Sequence, residues 1–95
     1  MKLLDIVPSQ RKGKKWTAIF EGENGRQKRT HFGSAGMNDF TLTGDEKARD
    51  SYWRRHRKDL NTGDPTRAGF LSLYILWNKP TLEASARDYK RRFGL

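Results

Sequence analysis

Two histidines, 11 acids and 20 lysines plus arginines hold most of the chemistry offered by this 95-residue sequence. Cysteine is absent, which excludes a thiol nucleophile, a disulfide framework and a zinc finger. Acid–base catalysis needs a titrating group held against its substrate. His31 falls at a strand end and His56 on the inner face of a helix. Neither belongs to a close-spaced metal motif, and each reads as a partly buried imidazole donating to a backbone carbonyl. Gly33 and Gly36 follow a strand, but no Lys-Ser/Thr or third glycine completes a phosphate-cradling loop. The residues therefore point to a non-enzymatic protein with no metal and no cofactor.

The bases are the stronger signal. They stand in four clusters, Arg11-Lys12-x-Lys14-Lys15, Arg26-x-Lys28-Arg29, Arg54-Arg55-x-Arg57-Lys58 and Lys90-Arg91-Arg92, and the net charge is +9. A polyanion with regularly spaced phosphates is the natural partner of such a surface. Contacts to phosphate position a protein without reading sequence. The expected nucleic-acid contacts are Arg11, Lys12, Lys14 and Lys15 on a loop with no acid nearby, Lys28 and Arg29 on a strand, and Arg54, Arg55, Arg57 and Lys58 on a helix. Lys47, one helical stripe with Arg54 and Lys58, joins them, as do Lys79 in an Asn-Lys-Pro corner and Lys90, Arg91 and Arg92. A competing reading places the helical cations at C-termini favoured by the dipole, with Asp45–Arg49 and Asp50–Arg54 as ordinary i,i+4 pairs.

The elements that must position these residues follow from pattern. Leu3 to Val7 is β-prone and ends at Pro8. Trp16 to Glu21 alternates, with Trp16, Ala18 and Phe20 on one side. Gly22-Glu23-Asn24-Gly25 is a hairpin turn, and Arg26 to Phe32 returns as the partner strand. Gly33 to Asp39 reads as an ordered loop. Thr43-x-x-Glu46 has capping-box spacing and opens a helix of about four turns, with Ala48, Tyr52 and His56 on one face, that Asn61-Thr62-Gly63 stops. Asp64-Pro65 opens a second helix through Trp77, apolar on most sides and hence central. Thr81 to Phe93 forms a third. Trp16, Phe20, Trp53 and Trp77 are expected in the core. The whole of 1–95 reads as a single α+β domain: a two- or three-stranded antiparallel sheet followed by three helices packed on it. No apolar run reaches the length of a membrane span, and Met1 to Val7 does not read as a signal peptide.

Thr30-His31-Phe32-Gly33-Ser34-Ala35-Gly36-x-x-Asp39-x-Thr41, Arg55-His56-Arg57, Ala68-Gly69, Ile75-Leu76-Trp77-Asn78-Lys79-Pro80-Thr81-Leu82, Ala84-Ser85 and Asp88-Tyr89-Lys90-Arg91-Arg92-Phe93 together resemble small basic proteins of nucleocytoplasmic large DNA viruses of algae and amoebae. Members often carry Tyr where Met37 and Phe40 stand here, and a base where Glu83 stands. The resemblance implies a viral protein of the virion or of the infected-cell cytoplasm or nucleus, and supplies no mechanism. The expected function is sequence-independent binding of nucleic acid, double-stranded DNA foremost, for genome organisation or packaging. The alternative is a minor capsid or scaffold-like virion protein whose positive surface meets acidic protein partners.

Overall fold

A computed structural model describes residues 1–95. Three antiparallel strands, β1 (Lys2–Pro8), β2 (Lys14–Glu21) and β3 (Gln27–Ser34), form one sheet in the order β1-β2-β3. The Asn24-Gly25 turn closes the second hairpin: Gly25 has φ +77°, which glycine alone adopts without strain, and Gly22 donates its N–H to the Arg26 carbonyl. Strand alternation follows the expected sides. Trp16 pairs with Phe32, Ala18 with Thr30 and Phe20 with Lys28, so these residues share the face turned to the helices. A register shift between Leu3 and Asp5 lets Leu3 and Ile6 both join that face while Leu4 stays exposed.

The helical half departs from the sequence expectation in three places. A short helix α1 (Phe40–Thr43) precedes the expected start: the Asp39 carboxylate accepts from Thr41 N–H and Gly44, at φ +65°, ends it. The next helix, α2 (Glu46–His56), is capped by Asp45, whose Oδ1 accepts from Ala48 N–H, instead of by Thr43. Two caps in succession break what the pattern joins. Beyond His56 the chain tightens into a 3-10 helix over Arg57–Thr62 that Gly63 stops, so Lys58 does not continue an α-helical stripe from Lys47 and Arg54. The central helix also starts later than Pro65. The Asp64 carboxylate folds back on Thr66 N–H and Oγ1 and holds a turn, so α3 begins at Ala68 (Ala68–Leu71) and runs on as a wider π turn over Ser72–Leu76. The last helix, α4 (Leu82–Phe93), takes its cap from Thr81 as expected.

The core unites both halves. Leu3, Ala18, Phe20 and Phe32 of the sheet meet Leu71, Ile75 and Leu76 of the central segment and Tyr89 of α4. Removing such side chains from water is the main source of stability. Of the four aromatics expected inside, Phe20 is fully buried, whereas Trp16, Trp53 and Trp77 are only half-buried. Trp16 and Trp77 pack at the margin of the core, and Trp53 sits against the end of the central segment.

Candidate nucleic-acid interface

An open cleft of about 740 Å³ separates the β3–α1 loop from the tail of α2 and the central segment. One wall is the sheet end and its loop, including Lys14, Lys15, Gly33 and Asp39. The other carries Tyr52, Arg55, His56 and Asp59, and the floor is formed by Gly69, Ser72, Leu76 and Trp77. Two glycines are required there. At Gly33, with φ +79°, a Cβ would stand 2.8 Å from Leu76 Cδ1 and 3.2 Å from Lys15 Cβ. At Gly69 a Cβ would stand 2.7 Å from Asp59 Cβ. Both let the walls approach the floor more closely than any side chain allows.

Two basic clusters distant in sequence meet at this cleft. Lys14 and Lys15 line it from the start of β2, just past the β1–β2 loop, and Arg55 from α2. Arg11 and Lys12 are exposed on the same loop, and Arg54, Arg57 and Lys58 are exposed around the end of α2. Ala35 N–H donates to the Gly13 carbonyl, tying the β3–α1 loop to the basic loop. None of Arg11, Lys12, Lys14, Arg54, Arg55, Arg57 and Lys58 forms an ion pair. The expected Asp45–Arg49 and Asp50–Arg54 pairs do not form: Arg49 instead meets its neighbour Asp50 at 3.2 Å, leaving Arg54 free. Arg55 donates only to the Ser51 hydroxyl.

Lys15 is different. Its Nζ donates to Asp39 Oδ2 at 2.6 Å, and the Asp39 carboxylate is buried. The loop that looks free of acids in the sequence thus receives one from the β3–α1 loop, and Lys15 is a structural cation. Arg11, Lys12, Arg54, Arg57 and Lys58 do not themselves line the cleft, and neither do the remaining expected contacts. Lys28 donates to Thr66 Oγ1 and helps clamp β3 to the Asp64 turn, while Arg29 is exposed on the opposite sheet face. Lys47 is exposed on α2's first turn and Lys79 in the corner after Trp77. Arg91 and Arg92 reach back to the buried Asp88 at 2.9 and 3.3 Å, and Lys90 borders a small apolar groove with Leu3 and Leu82. Burial pushes the Asp88 carboxyl up, but hydrogen bonds from Asn78, Arg91 and Arg92 outweigh it and hold the group below its ordinary range. Asn78, donating its Nδ2 to Asp88, ties the corner to α4, as does Ser85 Oγ accepting from Lys79 N–H.

Aromatic rings line the cleft between these cations. Tyr52 stacks on Trp77 with centroids 4.4 Å apart and planes 9° from parallel, and on His56 at 4.1 Å and 22°. Trp53 fixes the end of the central segment by donating its indole N–H to the Trp77 carbonyl at 2.6 Å. Burial pushes the Tyr52 hydroxyl above its ordinary value, against the lowering effect of its hydrogen bond to Ser72, so the phenol stays neutral. His56 Nδ1 faces Asp59 Oδ2 at 3.5 Å. His31 is on the other sheet face, with Nδ1 between the hydroxyls of Thr17 (2.7 Å) and Ser9 (3.0 Å), not on a backbone carbonyl. No group of three or more His, Asp or Glu side chains is placed to hold a metal ion. The sequence pattern puts Tyr52 and His56 on one helix face; that Trp77 completes their stack depends on the tertiary fold.

The chain belongs to a family of unknown function, DUF5754, whose model matches residues 4–56. That stretch spans most of the sheet, the β3–α1 loop and α2; it includes Arg11, Lys12, Lys14, Arg54 and Arg55 and ends before Arg57 and Lys58. No curated protein and no solved structure matches the chain.

Proposed function

We propose that this DUF5754 member is a non-enzymatic nucleic-acid-binding protein that holds phosphates along the two basic rims of the cleft, without regard to sequence. The observation that carries this reading is that Lys14 and Arg55 line one cleft, with Arg11 and Lys12 exposed beside the first in the chain and Arg54, Arg57 and Lys58 beside the second, every one without an acidic partner. Seven uncompensated cations on neighbouring surfaces cost free energy through mutual repulsion, and a polyphosphate relieves it by neutralising them with release of counterions. The viral resemblance gives the setting: genome organisation or packaging, with double-stranded DNA as the abundant ligand.

Arg54→Glu with Lys58→Glu tests it. Phosphate binding requires weaker association with all duplex sequences alike, whereas base readout shows as a changed preference among them. Unchanged DNA affinity in a folded double mutant, together with loss of incorporation into particles, favours the capsid or scaffold role with acidic protein partners.

A further inference from the structure

We infer that the cleft is a seat for one unpaired base, so that the protein favours single-stranded or frayed nucleic acid over continuous duplex. This rests on the phosphate-binding reading and names the form of nucleic acid that the same site takes. Three parallel rings, Trp77, Tyr52 and His56, already form a column along the cleft. Only the middle ring has both faces covered by the other two. A planar base extends such a column as a further ring, and every base has the π-face to do so. The column's end at His56 is accessible, its side chain 38% exposed.

Charge and size narrow the ligand. Lys14 and Arg55 flank the rings from opposite walls and are free of acidic partners. An aromatic compound without phosphate leaves them unused, and a phosphate without a ring leaves the column unused. A nucleotide within a strand engages both. The cleft's roughly 740 Å³ is within the range of small-ligand sites, about 300–1,000 Å³. It suits one base with its sugar and phosphate, whereas a duplex keeps its bases paired and stacked between its grooves and meets only the rims. The side chains of Asn38 and Ser34 also line the cleft and offer hydrogen bonds to a base edge of any identity, consistent with tolerance of sequence.

The test uses the full chain with an oligothymidylate of about 10 nucleotides carrying a central 2-aminopurine, beside a duplex of the same length, at several salt concentrations. The expected results are quenched 2-aminopurine fluorescence on binding and tighter binding of the single strand. His56→Ala is expected to weaken single-strand binding by about 5- to 150-fold, the range for loss of one stacking partner, and to leave duplex binding unchanged. A circular dichroism spectrum of His56→Ala that matches the parent's controls for folding. Salt-sensitive binding to both forms without quenching, or an equal loss in both on His56→Ala, overturns the base seat and leaves the phosphate reading standing. Absence of binding to either form overturns both.

Discussion

Replacing Lys15 with alanine separates the structural cation of the basic loop from its binding cations. Asp39 is buried, with side-chain exposure of 2%, and Lys15 Nζ is the partner of its Oδ2. Its Oδ1 keeps Thr41 N–H and Oγ1 in the mutant, so half of the carboxylate remains satisfied. Breaking a buried ion pair by removing one partner costs about 3–5 kcal/mol. The retained Thr41 contacts, and the 14% exposure of the Lys15 side chain that admits some water, place Lys15→Ala nearer 2–4 kcal/mol. For a chain of this length, total stability is about 5–14 kcal/mol, so the loss is large. Urea unfolding followed by tryptophan fluorescence reads it; with a slope of about 1.5 kcal/mol/M the midpoint falls by about 1.3–2.7 M. Lys15→Met with Asp39→Asn removes both charges and is expected to recover much of the loss. By contrast, Arg11, Lys12 and Lys14 changed together to alanine should leave the stability within about 0.5 kcal/mol of the parent's and the midpoint nearly unchanged. A Lys15→Ala midpoint equally unchanged would refute the structural assignment of this lysine.

Further outcomes follow at Tyr89, Asp88 and Gly69. The Tyr89 hydroxyl is buried without a hydrogen-bond partner, so Tyr89→Phe should raise stability by about 1 kcal/mol in urea unfolding. Burial, with smaller pushes from Asp64 and Tyr74, holds the same hydroxyl well above its ordinary value; the folded state therefore resists its ionisation, stability falls as pH rises past about 10, and Tyr89→Phe should flatten that alkaline limb. For Asp88 the sign is reversed: its folded value is depressed, its contribution is present above about pH 4 and disappears as pH falls through the lower folded value, and Asp88→Asn should flatten the acid limb of a stability–pH profile. Gly69→Ala should destabilise by a net 1–2 kcal/mol or so in thermal unfolding, since the overlap with Asp59 outweighs the better helix propensity of alanine.

Strand alternation around Trp16–Glu21, the Asn24-Gly25 turn and the Thr81-capped last helix were all legible, because each is dictated by local pattern or by a single residue's backbone freedom. The three-stranded α+β architecture followed from them. Errors arose where side chains answer to distant partners. Asp39 is a loop acid in the sequence, yet it caps α1 and neutralises Lys15. Asp64 resembles a helix cap, yet it folds back on Thr66 and delays the central helix. Trp77 looks like core because of its apolar neighbours; the π turn before it instead delivers it to the cleft, beside Tyr52. The basic clusters were visible as charge, but that Lys14 and Lys15 of one and Arg55 of the other line the same cleft required the fold. Lys28, Arg91 and Arg92 were equally conspicuous and lie apart, engaged by Thr66 and Asp88.

Salt dependence of affinity for random-sequence nucleic acid tests the central claim most directly. With seven free cations around the cleft, the slope of log affinity against log salt for duplex DNA should approach about −6, each phosphate contact contributing about −0.9. Alanine at Arg54, Arg55, Arg57 and Lys58 should flatten it by about 3.6, alanine at Arg11, Lys12 and Lys14 by about 2.7, and Lys15→Ala hardly at all. A parental slope shallower than about −1, or slopes indifferent to both walls, would contradict phosphate binding at this cleft.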